Sequence, residues 1–103
     1  MNERKLRKLL VSGETETLEF KESPSESFYK AISAFSNTKG GMIILGTDKR
    51  GNITGVELSS RFLENLTNRI VNKISIYPQI ETIDIDRKRV LIVNVARTSW
   101  HYW

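Results

Sequence analysis

The sequence predicts an α/β domain, more α+β in its arrangement, with a mixed sheet, and three observations carry that expectation. Apolar residues recur at helical spacing in three segments and alternate or run continuously, as strands do, in several others. The two kinds interleave in the order α-β-α-β-β-α-β-β. Two pairs of the extended runs are joined by short turns, so hairpins stand beside any parallel pairing and the sheet cannot be all parallel.

The first helix comes from "NERKLRKLL", where Leu6, Leu9 and Leu10 share one side and Arg4, Lys5, Arg7 and Lys8 lie around the rest of the turn. "SGE" ends it, and "TETLEFKE" alternates as a strand, with Leu18 and Phe20 on one face and Glu19 and Lys21 on the other. "SPSES" predicts the next helix, with Ser23 as cap, Pro24 at its first position and Glu26 three residues beyond the cap. Phe28, Ile32 and Phe35 form its apolar stripe, and it should stop before "NTKGG". "MIILGT", "DKRGN" and "ITGVE" then read as strand, turn and strand. In "SSRFLENLTNRIVNKI" the residues Phe62, Leu66, Ile70 and Ile74 line one side, with Ser59 or Ser60 as cap. The last hairpin is "PQIETIDIDRKRVLIVNVA", with Ile83 and Ile85 on one arm, Val90 to Val95 on the other, and "DRKR" as its turn.

At 103 residues the chain is expected to be a single domain, the N-terminal part of a longer protein, with one modest core. Sixteen Lys and Arg against twelve Asp and Glu leave a net charge of +4, which suits a polyanionic partner without requiring one. With no cysteine, disulfides, Cys-based zinc sites and a thiol nucleophile are excluded. One histidine, His101, supports neither a His-rich metal site nor a Ser/His/Asp arrangement, so a metal would need oxygen ligands and would be Mg²⁺, Mn²⁺ or Ca²⁺. No apolar run exceeds the four residues of "MIIL", too short to span a bilayer, and a soluble, cytoplasmic protein with no membrane partner is expected.

Acid is concentrated between Glu14 and Glu26, against the basic character of the whole. Glu22 and Glu26 suit a helix start. Glu19 and Lys21 flank Phe20 on one strand face, about 6.6 Å apart, where a carboxylate holding a divalent ion beside a lysine would serve phosphodiester chemistry. Glu14 and Glu19 converge only if Glu14 lies in the turn before the strand. Asp48 completes a three-carboxylate site only if "MIILGT" runs beside "TLEFK"; otherwise it is the Asp that opens a turn. "SNTKGG" is a helix-terminating loop whose amides, with Asn37 and Lys39, could receive phosphate, although it is not a P-loop. The remaining phosphate-contact candidates are Arg4, Lys5, Arg7 and Lys8, then Lys49 and Arg50, then Arg87, Lys88 and Arg89. The aromatic C-terminus "SWHYW" would stack on bases, pack on a partner, or form the edge of a larger protein.

"LEFKES", "YKAISAFSNTKGGMIILGTDKRGNITGVE", "IYPQIE" and "RVLIVNVARTS" together resemble the Schlafen-type AlbA-like domain, from about Gly13 to Ser99, and "AFSNTKGGMIILGTD" is the most specific part. The resemblance implies an AlbA-like fold that binds nucleic acid, of the kind found in prokaryotic proteins described as transcriptional regulators and joined to further domains. In the vertebrate Schlafen nucleases that cleave tRNA and rRNA, the site has two glutamates five apart around such a strand and an aspartate after the glycine-pair strand. By position these are Glu14, Glu19 and Asp48 here, with Lys21 matching the strand lysine. Those nucleases use two tandem copies; a single copy would need to form a homodimer to recover their groove.

The expected function is therefore a nucleic-acid-binding module, the DNA-binding domain of a regulator, with DNA or RNA as partner and no cofactor. One alternative is a Mg²⁺- or Mn²⁺-dependent endoribonuclease with Glu14, Glu19 and Asp48 as metal ligands and Lys21 at the phosphate. The other is a nucleotide-binding or assembly domain.

Overall fold

Seven elements form in the computed structural model, which describes residues 1–57 and 59–98. They are α1 (Glu3–Ser12), β1 (Leu18–Lys21), α2 (Glu26–Ser36), β2 (Gly41–Leu45), α3 (Ser60–Ile74), β3 (Gln79–Ile85) and β4 (Lys88–Val95). The C-terminal "SWHYW" lies outside the described residues. The sheet order is β1-β2-β4-β3, with β1 parallel to β2 and the other two pairings antiparallel, so the sheet is mixed as expected.

Both faces of the sheet are covered. Ile43, Leu45, Leu91, Val93 and Val95 point toward α2 and α3 and pack on Phe28, Ile32, Phe35, Leu66 and Ile70. Phe20, Ile44, Ile83, Val90 and Ile92 point the other way, onto Leu6 and Leu10 of α1. That is why "MIIL" and "VLIV" read as continuous apolar runs: the two central strands are buried on both sides. β1 is an edge strand and alternates, with Leu18 and Phe20 buried under α1 and Glu19 and Lys21 half-buried on the α2 face.

Two expectations need correction. "ITGVE" does not form a strand: Ile53 pairs with Thr47 and Val56 with Arg89, each as an isolated bridge, and the expected hairpin is reduced to a loop. Gly46 (φ +104°) takes the chain out of β2, and its carbonyl accepts from both Thr54 and Gly55 N–H at 2.8 Å. Gly55 (φ +81°) then turns the chain so that Val56 occupies the β4 edge position that β2 has vacated. The second correction is the start of α2, which is capped by Ser25 rather than Ser23 and leaves Pro24 outside the helix. The Ser25 carbonyl accepts from the Phe28 N–H, while its hydroxyl is engaged with that of Ser27 at 3.0 Å and makes no side-chain cap. In α3 the cap is Ser59, whose Oγ accepts from the Phe62 N–H at 3.1 Å.

Candidate functional site

β1 lies directly beside β2, with Glu19 level with Ile43 and Lys21 with Leu45, and Glu14 sits in the turn before the strand. Both conditions for bringing Glu14, Glu19 and Asp48 into one neighbourhood are therefore met. The three carboxylates nevertheless have separate partners. Thr15 and Leu18 exchange backbone hydrogen bonds, which folds Glu14 back along the free edge of β1. There its Oε2 accepts from the Phe20 N–H at 2.8 Å and from Lys49 Nζ at 3.2 Å. An edge strand leaves alternate N–H groups unpaired, and Glu14 satisfies one of them.

Glu19 and Lys21 share a face, as two residues at i and i+2 of a strand must, and form an ion pair at 3.1 Å. Lys21 also donates to Ser27 Oγ at 3.2 Å, tying β1 to the first turn of α2.

Asp48 organises the loop after β2. Its Oδ1 accepts from the Arg50 and Asn52 N–H groups, both at 2.9 Å, and its Oδ2 from Asn52 Nδ2 at 3.0 Å. These bonds favour the charged form and hold its pKa below the ordinary value; the backbone bond from Asn52 contributes most, then the Asn52 amide, with Arg50 adding less. Among the described residues no group of three His, Asp or Glu side chains is arranged to hold a metal. With Glu14 taken by Phe20 and Lys49, and Asp48 by its own loop, the three do not fit a shared ion in this arrangement.

The loop that Asp48 shapes brings Lys49 and Arg50 next to the basic helix α1. Gly51 (φ +86°) presses against α1 so closely that a Cβ there would lie 2.5 Å from the Leu10 carbonyl oxygen. Beside this contact is a cleft of about 540 Å³ lined by Arg7, Arg50, Asp86 and Lys88 from α1, the loop and the β3–β4 hairpin. Lys88 Nζ donates to the Ile53 carbonyl, and Arg7 reaches Asp86 at 2.9 Å. Arg7 also pairs with Glu3, which with Asp86 raises its pKa further above the ordinary arginine value, Glu3 contributing most. Arg4, Lys5 and Lys8 project from the exposed side of α1, and Arg87 sits in the tight turn beside Lys88. Arg50 and Arg87 have no carboxylate partner among the described residues, and neither do Arg4, Lys5 and Lys8.

Other expected contacts lie elsewhere. Asn37 and Lys39 are at the opposite end of β2 from the Asp48 loop, and Lys39 pairs with Glu16 at 3.0 Å. The glycines beside them serve packing: a Cβ on Gly40 would meet the Val95 carbonyl at 2.8 Å, and one on Gly41 the Phe35 ring at 2.7 Å. The Asn37, Thr38 and Gly40 N–H groups turn back onto α2 carbonyls. Arg89 is bound to Asp84 at 3.0 Å, which raises its pKa.

Residues that the sequence reading passed over line a second cleft between α2 and α3. Arg61, Asn65 and Arg69 stand on the exposed side of α3, over the buried Tyr29. The signal was present as Arg and Asn at four-residue spacing, opposite the apolar stripe. Among the described residues no helix is long and apolar enough to cross a membrane.

A search of the curated proteins finds no match. Among solved structures, the chain is similar to the DIP2311 protein from Corynebacterium diphtheriae, with TM-score 0.67 and 21% identity over 87% of this chain. It is also similar to the N-terminal domain of a RecG-related protein from Nitrosomonas europaea, with TM-score 0.75 and 18% identity over 99% of this chain. The chain spans 21% of the first of these and 78% of the second. At these identities the likeness establishes the shared fold. The family model described as Schlafen, AlbA_2 matches residues 14–102, and the chain belongs to that family.

Proposed function

We propose that the domain binds nucleic acid through the α1 face and the adjoining cleft, without catalysis. The observation that carries this reading is the convergence of Arg7, Arg50 and Lys88 from three separate segments at one cleft, next to the exposed Arg4, Lys5, Lys8 and Arg87. Such an array contacts phosphates in any sequence, and its affinity falls as salt displaces the released counterions. The family match supports the reading, as does the Nitrosomonas neighbour, whose name relates it to an ATP-dependent DNA helicase. Binding of a labelled DNA duplex, followed by anisotropy from low to moderate salt, tests it. No affinity at low salt would remove it.

The finer reading is the DNA-binding part of a cytoplasmic transcriptional regulator, dimeric and joined to further domains. Light scattering with and without DNA checks the dimer.

Catalysis is the competing reading, and one observation favours it: β1 and β2 are adjacent, so Glu14, Glu19 and Asp48 come from neighbouring segments. Their separate engagement favours binding instead. Cleavage of structured RNA that stops on adding EDTA and on Glu19→Gln would decide for the nuclease.

A further inference from the structure

Tyr29 is 6% exposed, and its hydroxyl is buried with no hydrogen-bond partner among the described residues. Burying a hydroxyl unpaired is unfavourable and uncommon in folded proteins. Packing does not require it: the ring stacks edge-on against Phe28 at 5.2 Å and lies under Lys73 Nζ at 5.5 Å, and a phenylalanine would keep both contacts.

Tyr29 contributes to a cleft of about 600 Å³, and the chemistry of its rim is not that of a merely solvated helix. Arg61 and Arg69 are exposed there and form no ion pair among the described residues, while the Glu57 carboxylate that also lines the cleft accepts from Ser59 Oγ at 2.8 Å. Between and beyond the two arginines, α3 places Asn65, Asn68 and Asn72 on the same side, all exposed. Asparagine is a weak helix former, so three on one exposed face do nothing for α3 itself. An amide offers a donor and an acceptor side by side, the pattern that matches a base edge, while guanidinium groups suit phosphate oxygens.

We propose that this cleft receives one unpaired nucleotide of a single-stranded nucleic acid. Arg61 and Arg69 hold its phosphate, the asparagine amides bond the base edge, and the Tyr29 hydroxyl gains its missing partner from the ligand, which displaces the exposed side chains of the rim. A base edge in a duplex groove cannot descend to a buried hydroxyl, whereas a splayed nucleotide can. This rests on the nucleic-acid reading above but uses another surface, because α3 and α1 pack on opposite faces of the sheet.

The test is titration of ¹⁵N-labelled protein with the four nucleoside 5′-monophosphates, a single-stranded oligonucleotide and inorganic phosphate. Nucleotide and oligonucleotide should shift the same α3 backbone and asparagine side-chain signals, at concentrations where phosphate alone shifts none. Arg61→Gln with Arg69→Gln should weaken binding at least about tenfold, and Tyr29→Phe about three- to tenfold, the loss of one hydrogen bond. The free Tyr29→Phe protein should melt at the same temperature as wild type or higher, since it loses only an unpartnered group. Equal shifts from phosphate alone, shifts from mononucleotides but not from the oligonucleotide, no shifts on α3, or a destabilised Tyr29→Phe with unchanged affinity would each overturn the assignment. Duplex binding at the α1 face is read separately, so it can survive or fail independently.

Discussion

Glu14 and Phe20 are joined across the turn before β1: the Glu14 carboxylate accepts the Phe20 N–H at 2.8 Å, closing a free donor on the sheet's edge strand. The same oxygen holds Lys49. One acidic residue thus protects an edge and restrains a basic loop.

Glu14→Ala should therefore destabilise the fold by about 0.5–1.5 kcal/mol, the net worth of one such hydrogen bond. Glu14→Gln keeps an acceptor for Phe20 while releasing Lys49, so it should cost less and should tighten DNA binding. Urea unfolding and anisotropy check the two parts. Glutamine abolishing a metal-dependent activity would instead assign Glu14 to catalysis.

Gly51→Ala should separate the loop from α1. At φ +86° with the Leu10 carbonyl 2.5 Å from the added methyl, the loop must move by shifting backbone. The expected cost is about 1–3 kcal/mol, the range for overpacking, together with weaker DNA binding because Arg50 leaves its place beside Arg7 and Lys88. Unchanged stability and affinity would mean that the loop does not dock as described.

The β3–β4 turn holds Asp86 and Arg87 at φ +51° and +63°, a conformation that suits glycine or asparagine better than arginine. Arg87→Gly should relieve about 1 kcal/mol of left-handed strain and raise the melting temperature, while weakening DNA binding by removal of a phosphate contact. A lower melting temperature would contradict the account of the turn.

Asp48 gives the pH dependence a definite sign. Its pKa is lowered in the folded state, so its stabilising contribution is complete above the ordinary value of 3.8 and is lost as pH falls through the depressed folded value. Melting temperatures of wild type and Asp48→Asn should differ at neutral pH and converge as the pH is taken well below 4. A constant difference across that range would mean that the carboxylate charge is not what fixes the loop.

Much of this architecture was legible wherever burial imposes a period. The alternation around Phe20, the stripe from Phe62 to Ile74 and the double-sided run at Ile43 to Leu45 each identified an element, because one face of each must leave water. "ITGVE" misled because its period of two is real but its pairing is not: Gly46 and Gly55 divert the backbone, and only single bridges form. For the site, sequence correctly separated Glu19 and Lys21 from the core and placed Glu14 before the strand. It could not show that the Glu14 carboxylate is taken by Phe20 and Lys49, because both contacts depend on how the turn and a loop 35 residues away come to rest. Nor could it distinguish Asp48 as a loop organiser from Asp48 as a ligand, since both roles want the same residue type. Tyr29 carried no reading in the sequence, because its unpaired hydroxyl becomes visible only when every neighbour is in place.

If Arg7, Arg50 and Lys88 form a phosphate-binding surface, the slope of log affinity for duplex DNA against log salt reads it out. Each phosphate contact contributes about −0.9 to that slope. Arg50→Gln with Lys88→Gln should make it shallower by about two contacts' worth, roughly 1.8, with the fold intact by circular dichroism. A slope unchanged by the double substitution, in a folded protein that still binds DNA, would contradict the claim and place the DNA elsewhere on the domain.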